Sequence, residues 1–349
     1  MKTQLFNIEA GEIDGMSLSI CANIIKKGGL VAFPTETVYG LGADATDKTA
    51  ASKIYSAKGR PSDNPLIIHV AAPEDAERYA HTSPTYYALA KAFMPGPLTV
   101  IMPKKDIIPN EVTGGLDTVA VRCPSHEIAR ALIKESGTAI AAPSANISGS
   151  PSPTCAEHVI KDLFGKVDAI IDGGCSEIGL ESTIVKLDGE RITLLRPGAI
   201  TADALECVCG KVEISAAVTE ALKENERPLS PGMKYRHYAP SSPLVLLDGE
   251  SADVLSFLKN EQRRTSCTIL CYSEEASELN NGNIIDVGSA DDLVAQAKNL
   301  FAALRLADTT KQAVIYAHLP PREGLGLALY NRMIRAAAHT VKKITKNDI

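Results

Sequence analysis

The sequence predicts an α/β fold with a twisted, mixed, open sheet, followed by a second, smaller Rossmann-like parallel α/β domain. Short β-rich runs alternate with helical stretches from Gly29 to about Leu195, a Pro-rich stretch then interrupts them, and the same alternation restarts beyond it. At 349 residues the chain is longer than one core usually sustains, so two domains follow. We place them at residues 1–210 and 244–349, with a linker at 211–243.

In the first domain the strands fall at Leu30 to Phe33, Leu66 to Val70, Leu98 to Met102, Thr118 to Val121, Ala139 to Ala142 and Ala169 to Ile171. Asp47 to Ala57 and Ser125 to Glu135 have helical periodicity, the second with Ser125 as its cap and Glu127 in its first turn. Ser182 to Leu187 and Arg191 to Leu195 predict a hairpin closed by a type I′ turn at Asp188-Gly189, which makes the sheet mixed. Residues 225 to 243 hold four prolines and one glycine without an apolar period, as a linker or ordered connecting loop would. Beyond them Leu244 to Leu247, Thr268 to Cys271, Ile284 to Val287 and Ala313 to Tyr316 alternate with helices at Ala252 to Asn260, Asp291 to Leu306 and Gly326 to Val341.

Composition narrows the function. A hydrophobic fraction of 45% excludes a disordered chain. With 36 basic against 42 acidic side chains the net charge is −6, so general attraction to phosphate backbones or anionic lipid is not the basis of its action. The amino terminus lacks a secretory pattern, no run of ~18 apolar residues predicts a membrane span, and eight scattered cysteines suit a reducing compartment. These points predict a cytoplasmic enzyme. Neither Cys207 and Cys209 nor Cys267 and Cys271 has a second pair or a His at zinc-site spacing, so no protein-only metal site is expected.

The common catalytic strings are missing. There is no G-x4-G-K-[ST], no G-x-G-x-x-G leading a strand into a helix, no H-E-x-x-H and no G-x-S-x-G. A nucleotide would have to be held by side-chain cations and hydroxyls. Three clusters supply them. Phe33-Pro34-Thr35-Glu36-Thr37-Val38-Tyr39-Gly40-Leu41-Gly42 follows a strand, where open α/β sheets bind ligands, although an ordinary turn has the same composition. Lys58-Gly59-Arg60-Pro61-Ser62-Asp63-Asn64-Pro65 sets two cations around a glycine, a spacing that suits a polyphosphate and equally a solvated loop. Ala141 to Ser150 places Ser144, Asn146 and Ser148 after another strand, as a polar cavity floor or an Asn/Ser-rich turn. Arg122, His69, Ser182 and Arg196 stand at or near strand ends, and their joint occurrence with the clusters points to a site. Arg122 is placed to clamp a carboxylate by two parallel hydrogen bonds.

Taken together, FPTETVYGLG, the K-x-R of Lys58 and Arg60, the S-x-N of Ser144 and Asn146, and LLRPGAI resemble the YrdC/Sua5 family. SPGMKYRHYAP and the extra α/β domain ending in NRMIRAAA are similar to its longer Sua5 branch. The resemblance runs from about residue 15 to the end of the chain. It implies a YrdC-like sheet and a nucleotidyltransferase that makes L-threonylcarbamoyl-AMP and pyrophosphate from L-threonine, bicarbonate or CO2, and ATP. The product would serve N6-threonylcarbamoyladenosine formation at position 37 of tRNAs reading ANN codons, through a separate transferase complex. Aligning three reactants and neutralising phosphate charge needs cations and hydroxyls more than a dedicated nucleophile.

Matched residue by residue, the resemblance assigns Thr37, His69, Arg122, Ala142 through its backbone, and Ser182 to L-threonine. It assigns Arg60, Asn64, Thr118, Ser144, Ser152, Arg196 and Tyr238 to ATP. Lys58, Arg60, Ser144 and Asn146 form the catalytic set near the phosphates. Mg2+ would come with ATP, held mainly by its phosphates. Because Tyr238 lies in the connecting loop, that loop is expected to close over the filled site as a lid that excludes water. Tight tRNA binding is not expected. The competing readings are a carbamoyl-transfer module on the same scaffold, whose acylphosphatase and zinc-finger segments are missing here, and a double-stranded RNA-binding module.

Overall fold

The computed structural model describes residues 2–220, 228–231, 237–279 and 282–348. The chain divides into two compact units, one of residues 1–148 and 152–234 and the other of residues 149–151 and 235–349.

The first unit runs β1 (Gln4–Asn7), α1 (Gly15–Lys26), β2 (Val31–Phe33), β3 (Gly40–Asp44), α2 (Lys48–Lys58), β4 (Ile67–His69), α3 (Pro84–Phe93), β5 (Leu98–Pro103), α4 (Asn110–Thr113), β6 (Thr118–Arg122), α5 (Glu127–Ser136), β7 (Ile140–Ala141), α6 (Ala156–Leu163), β8 (Ala169–Asp172), β9 (Thr183–Asp188), β10 (Arg191–Arg196), α7 (Ala202–Cys209) and β11 (Val212–Ile214). Its strands form one sheet in the order β1-β8-β2-β3-β7-β4-β6-β5-β9-β10-β11. Pairs such as β4 with β6 are parallel and β5 with β6 antiparallel, so the sheet is mixed, as the sequence predicted.

Strand residues alternate between two faces, and the two faces are covered differently. On one face Ala32, Leu41, Ile68, Val100, Val121 and Val185 pack beneath α2, α3, α6 and α7. On the other, Val31, Phe33, Ile140 and Ile171 pack beneath α1 and α5 through Leu18, Ile25, Ile128 and Leu132. Further along this second face Ile67, Ile101, Ala120, Ile184 and Leu195 form a separate apolar patch whose members all come from strands.

The sequence placed one turn across Phe33 to Gly42, but Gly40–Asp44 returns as β3, antiparallel to β2. Two glycines hid it, since they carry neither strand propensity nor an alternating pattern. They are there for space: a Cβ on Gly42 would lie 2.7 Å from Ile140 Cγ2 and 2.8 Å from Phe33 Cε1. Two further local expectations shift. The cap of α5 is His126 with no side-chain cap bond, while Glu127 accepts the Gly11 N–H at 3.1 Å. In the β9–β10 hairpin Asp188 pairs with Arg191, so the two-residue loop is Gly189-Glu190. Only Gly189 of these two takes positive φ, which rules out the type I′ turn.

The second unit runs β12 (Leu244–Asp248), α8 (Ser251–Arg264), β13 (Cys267–Cys271), α9 (Ser273–Ala276), β14 (Asn283–Asp286), α10 (Leu293–Thr310), β15 (Val314–His318), α11 (Gly326–Ala336) and β16 (Val341–Lys343). The strand order is β14-β13-β15-β12-β16, with every pairing parallel. The helix expected over Gly326 to Val341 stops at Ala336, because Ala338 and His339 turn to φ of 48° and 62° and release the chain into β16. At the carboxyl end of β15, His318 contacts the Glu275 carboxylate at 2.9 Å and stacks on Tyr272.

Gly42→Ala forces Phe33 and Ile140 apart in a filled layer, so it should cost about 1–3 kcal/mol and lower Tm by roughly 2–10 °C. A thermal unfolding scan with an unchanged midpoint would contradict the close approach.

Candidate active site

Register assembles a row of polar side chains along one end of the central strands. His69 at the end of β4 lies opposite Arg122 at the end of β6. Arg122 lies opposite Thr99 of β5, Thr99 opposite Ile184 of β9, and Ile184 opposite Arg196 of β10 across a bulge. Paired residues share a face, so these side chains stand on the side of the strand-only apolar patch. Two hydrogen-bond sets lock the far end of the row: the hydroxyls of Thr99 and Ser182 meet at 2.7 Å, and Arg196 donates from Nε to the Ser182 carbonyl at 3.0 Å and from Nη2 to its hydroxyl at 3.1 Å. Along β6 the same face carries Arg122, then Ala120 of the patch, then Thr118.

The turn after β2 brings a carboxylate to this row. Thr35 organises the turn, its hydroxyl bonding the Val38 carbonyl at 2.6 Å and lying 2.9 Å from the Thr37 hydroxyl. Glu36 is thereby held 2.7 Å from Arg122, and both are buried. Burial pushes the Glu36 carboxyl upward, but the charge and contact of Arg122, with backbone N–H groups, outweigh it and hold the carboxyl below its ordinary range. His69 is 3% exposed, edge-on to Phe33 at 6.2 Å. Burial and the neighbouring Arg122 charge push its pKa down to about 3, so the ring is neutral at physiological pH.

A second group forms where α2 ends. Gly59 takes the left-handed cap conformation and turns the chain, leaving Lys58 buried in the last helical turn. Its ammonium donates to the carbonyl oxygens of Ser144 and Asn146, and the Ser144 hydroxyl bonds the Asn146 side chain. Lys58 thus ties the loop after β7 to α2, satisfying a buried cation with oxygens. Arg60 curls back onto the carbonyls of Asn64 and Pro65 at 3.3 and 3.1 Å. An isolated bridge pairs Gly40 with Ser144, and the Ala142 N–H is spent on Ile67 at 2.8 Å. Any backbone contact Ala142 makes with a ligand therefore falls to its carbonyl.

Of the residues singled out from sequence, the structure brings His69, Arg122, Ser182 and Arg196 into one row, places Thr37 beside Glu36, and groups Lys58, Arg60, Asn64, Ser144 and Asn146 around the end of α2. Thr118 shares the Arg122 face, and the Ser152 hydroxyl bonds buried Glu181, the neighbour of Ser182. Tyr238 belongs to the second unit, its ring 5.2 Å from Phe301 and 5.6 Å from His237. Much of the connecting loop expected to act as a lid, residues 225–227 and 232–236, lies outside the described residues. Sequence reasoning assigned no role to Glu36, Thr99 or Glu181. Glu36 stood inside a quoted motif, whereas Thr99 and Glu181 gain meaning only from their cross-strand neighbours.

Comparison with known proteins gives a consistent result. Residues 23–198 match the family model described as telomere recombination, and residues 200–338 match that of the threonylcarbamoyl-AMP synthase C-terminal domain. The chain is 46% identical over 342 residues to a threonylcarbamoyl-AMP synthase of Pyrococcus abyssi, covering 95% of this chain and 97% of that one. It is 44% identical over 325 residues to one of Bacillus subtilis, covering 92% of each. The crystal structure of P. abyssi Sua5 complexed with L-threonine superposes with a TM-score of 0.91 at 43% identity, covering 98% of this chain and all of that one.

The His69 shift has a definite sign. A histidine held neutral below its ordinary range adds stability that is fully present above about pH 6.5 and lost as pH falls toward 3. Urea midpoints should therefore drop between pH 7 and 5 in the wild type and drop less in His69→Gln. Equal drops would show that His69 ionises freely.

Proposed function

This chain belongs to the threonylcarbamoyl-AMP synthase family, and we propose that it joins L-threonine, bicarbonate or CO2, and ATP into L-threonylcarbamoyl-AMP and pyrophosphate. The observation that carries this reading is the polar row on the strand-only face: two arginines, a neutral imidazole and paired hydroxyls bordering an apolar cluster of strand residues. Matches to synthases over both halves of the chain favour it over an RNA-binding or carbamoyl-transfer module.

In this reading Arg122 takes the carboxylate of L-threonine, with Thr37, His69, Ser182 and the Ala142 carbonyl around the rest of the molecule. The threonine nitrogen attacks the one-carbon donor as a neutral amine and gives up a proton to become the carbamate, water leaving where the donor is bicarbonate, and the carbamate oxygen then attacks the α-phosphorus of ATP as pyrophosphate leaves. Arg60, Asn64, Thr118, Ser144, Ser152, Arg196 and Tyr238 serve the nucleotide, and Lys58 and Asn146 hold the loop that shapes the phosphate end. The protein's contribution is alignment and charge neutralisation by groups fixed before substrate arrives. Mg2+ would be held mainly by the ATP phosphates, where it would neutralise their charge. In this reading the product passes to a separate transferase complex that modifies adenosine 37 of tRNAs reading ANN codons, and the reaction is a cytoplasmic one. Among the described residues no helix is long and apolar enough to cross a membrane.

Pyrophosphate release by the purified chain should require L-threonine, bicarbonate and ATP together. Arg60→Ala should lower it about 100-fold, the scale of losing one fixed transition-state contact, and Lys58→Ala should lower it by releasing the loop after β7 that Lys58 holds. Release that ignores threonine would remove the assignment.

A further inference from the structure

Glu36 is a buried carboxylate that the reaction as described does not use. It lies 2.7 Å from Arg122 and near the backbone N–H groups of Glu36 and Ser125, yet these neighbours meet its oxygens out of line, and neither those oxygens, nor Arg122 Nη2, nor His69 Nδ1, completes an aligned hydrogen bond with the described residues. Burying polar atoms in that state is costly, so unspent capacity concentrated at one place marks where a ligand's groups belong. The three groups also differ in kind. The guanidinium is a donor, the carboxylate an acceptor, and the neutral imidazole nitrogen takes a hydroxyl or an N–H.

A free α-amino acid offers the complementary set: a carboxylate for Arg122 and, on the same carbon, an ammonium for Glu36. The geometry points to Glu36 as the residue that receives the α-amino nitrogen of L-threonine, so that the Glu36–Arg122 pair grips the zwitterion by both ends and selects an α-amino acid over a plain hydroxy acid. This rests on the substrate reading above and adds a residue to it. When the nitrogen becomes a neutral amine, one N–H can still point to Glu36, which fixes the direction of its lone pair. The ion pair also lets the empty site exist, since each charge is compensated by the other until substrate separates them.

The test compares L-threonine with 3-hydroxybutyrate, which keeps the carboxylate and hydroxyl and lacks the amine. Binding of each is measured by calorimetry on the full chain, together with KM for threonine and for ATP in pyrophosphate release. Glu36→Gln should weaken L-threonine at least ~10-fold, the weight of one charge-assisted hydrogen bond, while 3-hydroxybutyrate and the ATP KM stay within about twofold. Equal losses for both ligands would mean that Glu36 acts only by holding Arg122, and unchanged threonine binding would mean that it does not face the amine; either overturns the inference. A wild-type chain that binds neither ligand would overturn the substrate reading and this inference with it. Should Glu36→Gln fail to fold, Glu36→Asp keeps the charge, withdraws it by one methylene and is judged by the same pair of ligands.

Discussion

The buried contact between Glu36 and Arg122 is the interaction on which the first unit's site depends. A guanidinium taken out of water without a counter-charge costs several kcal/mol, and Arg122 is 4% exposed. Glu36 makes that burial tolerable and ties the turn after β2 to the end of β6, two strands separated in the sheet by β3, β7 and β4. The same charge acts on its neighbour, since Arg122 adds to burial in keeping His69 neutral. One ion pair thus fixes the position of the loop that borders the row, while burial, aided by Arg122 and opposed by Glu36, keeps His69 neutral.

The sheet provides the platform on which this is possible. Its two faces pack beneath helices through two large apolar clusters, and among the described residues Ile67, Ile101, Ala120, Ile184 and Leu195 form a further cluster drawn from five strands. A patch built of strands alone is stiff, because each member is fixed by ladder hydrogen bonds to its neighbours. Thr99, Ser182 and Arg196 are held to one another at its border by direct hydrogen bonds, so their donors and acceptors are aimed before a ligand arrives. Lys58 works differently: by binding the carbonyls of Ser144 and Asn146 it shapes the loop after β7 from below.

Local sequence revealed most of the strands because their apolar runs are strong, but named fewer than half of the helices. It missed β1, β3, β11 and β16; in β3, Gly40 and Gly42 replace the pattern with space for Phe33 and Ile140. It also placed the hairpin turn one residue early, because Asp188-Gly189 has the composition of a type I′ turn while the cross-strand register leaves Gly189-Glu190 as the loop. The candidate site was legible as separate strings, each compatible with an ordinary turn when taken singly. What joined them was the resemblance of the whole set to one family, which the comparisons with the P. abyssi and B. subtilis proteins bear out.

The sequence by itself determined the α/β class, the two-part organisation and the residue types available for chemistry, because these follow from periodicity, composition and motif. Tertiary structure alone decided that Thr99 stands beside Arg122, that Glu36 faces its guanidinium, and that Lys58 is spent on a loop. The reason is physical. A side chain's charge state and partners are set by what the sheet register brings across from strands distant along the chain, and the local string of residues carries no record of that register.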